Sequence, residues 1–104
     1  MTDFRPMKLI LTYDVISETT QEYFQFVMGQ YVPSMQTMGL QIFEAWQTVY
    51  GDAPSRLITF VSEDKATMMG LLRDERWETL NDQLEQFVTN FSYKVIPYRE
   101  AFQL

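Results

Sequence analysis

The order in which two hydrophobic periods replace each other limits the fold of this chain more than any other feature. Met7 to Val15, rich in Leu, Ile, Tyr and Val, reads as a strand. Ser17-Glu18-Thr19-Thr20 breaks it, and Thr19 followed by Glu22 has the spacing of a capping box, in which each side chain satisfies a free backbone N–H. Phe24, Val27, Met28, Tyr31, Met35 and Met38 then form an apolar stripe at helical spacing. Pro33 lies inside the stripe and leaves the Gly29 carbonyl without its donor, which predicts a bend; Gly39 predicts the stop. Leu40 to Tyr50 is a second strand, Gly51-Asp52-Ala53-Pro54-Ser55 a loop of hairpin length, and Arg56 to Ser62 a third strand. Asp64 is placed to cap a second helical region carrying Ala66, Met69 and Leu72 on one side. Asp74 reads as a fresh cap after a break at Arg73-Asp74, and Trp77, Leu80, Leu84, Phe87, Val88 and Phe91 continue the stripe. Tyr93 to Phe102 is the last strand, where Pro97 cannot donate to a ladder and predicts an edge or a bulge.

Strand, helix, strand, strand, helix, strand is the split-βαβ order of the ferredoxin-like fold: α+β, βαββαβ, an antiparallel four-stranded sheet with helices on one face. Without repeat, linker or low-complexity stretch, residues 1–104 form one domain. Helices on one face leave the other to water, so a monomer needs that face polar. Period-two alternation places Phe43, Ala45, Gln47 and Val49 on one face of the second strand and Ile42, Glu44, Trp46, Thr48 and Tyr50 on the other. In the third strand Leu57, Thr59 and Val61 oppose Ile58 and Phe60; in the fourth Val95 and Pro97 oppose Ile96, Tyr98 and Phe102. Both faces carry large apolar side chains, and a second copy related by a two-fold axis is the economical cover, giving a homodimer.

Charge and residue types narrow the chemistry. With a net charge of −6 and eight Lys and Arg scattered from Arg5 to Arg99, neither nucleic acid nor an anionic membrane surface is an expected partner. The chain has no Cys and no His, which removes thiolate nucleophiles, sulfur metal sites and imidazole bases or ligands. No metal site and no cofactor are expected. No apolar run approaches the roughly 18 residues of a membrane span, and Met7-Lys8-Leu9-Ile10-Leu11 is too short for a signal peptide, so the expected location is cytoplasmic.

Candidate site residues lie on strands. Glu44, Trp46, Thr48 and Tyr50 share one face of the second strand, where an acid, an indole, a hydroxyl and a phenol could grip a flat, partly polar molecule. Glu44 would accept a proton if burial raised its pKa. The plainer reading makes Trp46 and Tyr50 interface packing and pairs Glu44 with Arg99 or Arg56. Tyr13 and Asp14 point to opposite faces of the first strand, so only one of them lines a given cavity, and Asp14 also suits a turn or cap. The ligand set is therefore Tyr13, Glu44, Trp46, Thr48, Tyr50 and Arg99, with Glu44 and Asp14 as the candidate bases. Trp77 and the methionine stripe read as core, and Glu75, Glu78, Asp82 and Glu85 as a solvated helix face.

Phe43-Glu44-Ala45-Trp46 running into a hairpin at Gly51, and Leu72-Arg73-Asp74-Glu75-Arg76-Trp77, resemble stretches of the NIPSNAP-like proteins within the dimeric α/β-barrel superfamily. The resemblance implies two chains packed sheet to sheet, forming a dimeric α/β barrel, with room for a small hydrophobic or aromatic molecule between sheet and helices. That superfamily includes haem-degrading enzymes, chlorite dismutases, cofactor-free quinone-forming monooxygenases, muconolactone isomerases and members of no assigned activity, so the resemblance supplies a menu. Its haem binders use a His, which this chain lacks. Three readings follow: a small-molecule binder; a cofactor-independent monooxygenase or isomerase with a carboxylate or Tyr base; and a structural or regulatory homodimer with a filled interior.

Overall fold

The computed structural model describes residues 5–50 and 53–98; the side chains at 48–50 and 53–54 lie outside the described set. In chain order it holds β1 (Met7–Val15), α1 (Thr20–Phe26), α2 (Val32–Thr37), β2 (Leu40–Tyr50), β3 (Ala53–Ser62), α3 (Lys65–Arg73), α4 (Glu75–Leu84) and β4 (Val88–Pro97). The strands make one antiparallel sheet in the order β2-β3-β1-β4, which is the ferredoxin-like topology. Pro97 lies on an edge strand, where its missing donor costs no ladder bond. Along β1, Met7, Leu9, Leu11, Tyr13 and Val15 are buried while Lys8, Ile10, Thr12 and Asp14 are half-buried. The buried set faces the helices and shares one core with Ile58 and Phe60 of β3, Tyr31 and Met35, Met68 and Leu71 of α3, and Leu80 and Leu84 of α4. Among the described residues no helix is long and apolar enough to cross a membrane.

The first helical region departs from the expected pattern at its start. Thr19 makes no capping box. It ends a 3-10 turn, Ser17–Thr19, and its hydroxyl donates to the carbonyls of Ile16 (2.9 Å) and Phe87 (3.2 Å). The oxygen thus ties the helix entry to the start of β4. Tyr23 and Phe26 are buried, whereas Phe24 and Met28, expected in the core, are 44% and 66% exposed. Between α1 and α2 the chain makes a π-helical turn, Val27–Tyr31, and Pro33 falls in the first turn of α2, where no backbone donor is required. Where the sequence predicts a bend at Pro33, the chain has this wider turn just ahead of the proline. Gly39 ends the region at φ +94°.

The second helical region breaks where expected. Asp64 Oδ1 accepts from the Thr67 N–H at 2.8 Å, and Asp74 Oδ1 from the Arg76 N–H at 2.8 Å, so each carboxylate starts a helix. The helix does not reach Phe91. α4 ends at Leu84, Gln86 and Phe87 close a turn onto Gln83 and Leu84, and the Phe87 carbonyl accepts from Ile16. β4 begins at Val88, not Tyr93, and residues 99–102 of the expected strand lie outside the described set. A bulge at Asn90 (φ +57°), where the register with β1 shifts between Thr12 and Asp14, accounts for the difference. The extra residue leaves Val88 and Phe91 both packed on the core, three apart, which imitates helical spacing. β3 likewise starts at Ala53, pairing with Tyr50, so part of the expected loop is ladder.

Candidate ligand site

A second bulge decides what each face of β2 presents. Ile42 pairs with Phe60 and Glu44 with Thr59, leaving Phe43 unopposed. Past that point the phase reverses. Ile42, Ala45 and Gln47 register with the helix-side residues Phe60, Ile58 and Arg56, while Glu44 and Trp46 register with Thr59 and Leu57 on the open side. The expected grouping of Ile42 with Glu44 and Trp46, and of Phe43 with Ala45, is corrected accordingly.

On the helix side, a cavity of about 330 Å³ opens between the sheet edge and the α1–α2 region. Tyr23, Phe24 and Met28 form its helical wall, and Ile42, Ala45 and Arg56 its sheet wall. It is at the small end of ligand-site volumes, which start at roughly 300 Å³. Arg56 extends from the core-facing phase of β3, opposite Tyr13 on β1 and Gln47 on β2. Its guanidinium carbon lies 4.9 Å from the Phe24 ring centre and 5.7 Å from that of Tyr23. Its Nε is buried without a hydrogen-bond partner. Beneath it, the Tyr13 and Tyr23 hydroxyls are 2.6 Å apart. Burial, with the neighbouring tyrosine, pushes the Tyr13 phenol far above its ordinary range, and burial raises Tyr23 as well, so both stay neutral donors.

The open side carries a separate cluster. Lys8 Nζ sits 5.5 Å from the Phe43 ring centre and 5.7 Å from that of Tyr98, whose rings meet edge to face at 5.1 Å. Glu44 Oε1 is 3.8 Å from the same ammonium, and the Trp46 indole N–H donates to Glu44 Oε2 at 2.9 Å. Glu44 is thus engaged by Lys8 and Trp46; Arg56 lies on the opposite side of the sheet, which corrects that expected pairing. At the end of β1, Asp14 accepts from Asn90 Nδ2 (2.9 Å) and Ser55 Oγ (2.7 Å), and these bonds hold its carboxyl below the usual 3.8.

Of the expected site residues, Trp46 lines the cavity from the sheet edge while its indole N–H holds Glu44 on the open side, Tyr13 stands behind the cavity wall through its bond to Tyr23, and Asp14 stands at the strand end. The side chains of Thr48 and Tyr50, and Arg99 altogether, fall outside the described residues. Sequence reasoning missed Tyr23, Phe24, Met28 and Arg56 as a group. The available signal was Arg56 itself, a cation in phase with Ile58 and Phe60 on the apolar face of its strand.

Topology and cavity together define a ferredoxin-like α+β chain with an apolar pocket between sheet edge and helices. No family model matches the sequence, and no curated protein does. Solved structures match in fold. A NIPSNAP family protein from Agrobacterium tumefaciens is similar over 97% of this chain and 92% of its own, at TM-score 0.65 and 14% identity. An uncharacterised NIPSNAP domain protein from Burkholderia xenovorans gives TM-score 0.66 at 13% identity, covering 92% of this chain and 96% of its own. A provisionally assigned antibiotic biosynthesis monooxygenase from Deinococcus radiodurans gives TM-score 0.73 at 15% identity, covering 94% and 97%. The likeness to NIPSNAP-like, ferredoxin-like proteins expected from the sequence is met in these structures, at the level of fold.

Proposed function

We propose that this chain is a NIPSNAP-like, cytoplasmic binder of a small hydrophobic or aromatic molecule, held in the pocket between β2–β3 and the α1–α2 region, and that it works as a homodimer through the open sheet face. The observation that carries the binding reading is the cavity itself: about 330 Å³, with a mostly apolar wall that includes Tyr23, Phe24, Met28, Ile42 and Ala45. The enzyme reading draws on the Deinococcus neighbour. Against it, neither candidate base lines the pocket: Glu44 meets it only through Trp46, and Asp14 stands at the strand end.

Native mass spectrometry of protein purified gently from its own host tests the proposal. The expected result is a reproducible added mass on the wild type that Ala45→Phe, which fills the pocket from the sheet wall, abolishes without unfolding the chain. An added mass indifferent to Ala45→Phe would move the ligand elsewhere, and repeated ligand-free spectra would favour the structural reading.

A further inference from the structure

We infer that the molecule taken into this pocket carries an anionic oxygen group, most simply a carboxylate on a small apolar or aromatic body, and that Arg56 receives it. The inference rests on the pocket being a ligand site and specifies the ligand's charge. In a chain with fourteen Asp and Glu against eight Lys and Arg, a half-buried arginine would be easy to pair. Arg56 is not paired: it forms no salt bridge among the described residues, and its Nε has no acceptor although it is out of contact with water. Leaving a charged donor buried and unsatisfied is costly, so such a group calls for a partner, and a bound anion supplies one.

The surroundings fix which part of Arg56 is on offer. Phe24 and Tyr23 engage the guanidinium as cation–π partners, and Phe24 is itself held edge to face on Tyr23, 5.2 Å between ring centres. With aromatic rings holding the cation, its N–H donors remain for hydrogen bonding, and a planar fork of such donors matches a carboxylate in bidentate fashion. The Tyr13–Tyr23 hydroxyl pair uses one of its two protons internally, which leaves one donor beside the same cation. Phe24, Met28 and Ile42, each exposed despite its apolar side chain, would cover the body of the ligand.

Calorimetric titration with 2-naphthoate, its neutral primary amide and the cationic 2-naphthylmethylammonium tests this. The expected result is that the wild type binds the carboxylate at least about ten-fold more tightly than the amide, with the cation weakest. Arg56→Gln should bring the ratio of carboxylate to amide affinity down to about one, Arg56→Lys should keep part of the preference, and Ala45→Phe should abolish binding of all three. Equal affinity for the carboxylate and the amide on the wild type overturns the inference and leaves the pocket reading intact, even if Arg56→Gln fails to fold. Failure of every probe to bind, or binding that survives Ala45→Phe, overturns the pocket reading and the inference with it.

Discussion

Tyr13 and Tyr23 illustrate how a single polar contact binds two elements of this molecule. Their hydroxyls meet at 2.6 Å inside the core, and neither ring is more than 3% exposed. Removing one hydroxyl leaves the other buried without its partner. Tyr23→Phe should therefore cost about 1–3 kcal/mol, and adding Tyr13→Phe should recover part of the loss, because two apolar rings have nothing left to satisfy. Urea unfolding of the two single variants and the double variant checks this; additive losses would show that the hydroxyls do not depend on each other. Asp74 is a surface case with a different signature. The Arg76 side chain, and next its backbone N–H, hold the Asp74 carboxyl at about 2, below the ordinary 3.8. A carboxyl whose pKa is lowered by folding contributes fully above its unfolded value, and that contribution fades as pH falls from about 4 to about 2. Asp74→Asn keeps an oxygen to cap α4 but loses the charge. The wild type should be the more stable at pH 5, by a small margin, and the gap should close by about pH 2. A gap in urea midpoint that is constant with pH would assign the difference to capping alone.

At the scale of elements, the turns and caps of this fold were largely legible, and the bulges were not. Asp64, Asp74 and Gly39 each act where a reading of start and stop signals puts them, because capping chemistry is local and needs only neighbouring residues. β1 and β2 also fall on their expected bounds. A bulge, by contrast, is a fact about two strands. Phe43 becomes the extra residue only because Ile42 and Glu44 pair with consecutive residues of β3, and no alternation in β2 alone reveals that. The same holds for Asn90 against β1, and it cost both the start of β4 and the end of α4. The pocket was hidden for the same reason: placing Ile42 and Ala45 on one wall requires the bulge between them. Gly39 offers a direct test of a legible element. Its φ of +94° disfavours any side chain, and an added Cβ would stand 2.8 Å from Thr67 Cγ2. Gly39→Ala should lower stability by at least about 1–2 kcal/mol. Adding Thr67→Ser removes the obstructing methyl and should restore the steric part only. Full recovery in urea unfolding would mean that the backbone conformation at Gly39 carries no strain for alanine.

For the whole molecule the open sheet face is the governing fact. The chain is a slab of 49 × 34 × 19 Å with helices on one side. Its bare side carries Phe43 and Trp46 on one edge strand, 49% and 61% exposed, and Ile96 on the other edge, with Leu57, Val61 and Ile10 between them. A broad face of these dimensions is ample for the ~800 Å² that each partner contributes to an ordinary interface. At about 25 cal/mol per Å², covering the apolar part of such an area stabilises by several kcal/mol per chain before the cost of association. Lys8 does not spoil the surface, because Phe43, Tyr98 and Glu44 already surround its ammonium. Two chains related by a two-fold axis would then bury Trp46 and Ile96 together, since each copy presents the same patch. Replacing Trp46 or Ile96 with Lys should convert a dimer to a monomer in sedimentation velocity and leave the circular dichroism spectrum unchanged. Met28→Lys, at a side chain more exposed than either but on the helix side at the pocket mouth, should leave the dimer whole. If Met28→Lys breaks the assembly and the sheet variants do not, the partner sits on the helices, and the pocket would lie at the interface between subunits.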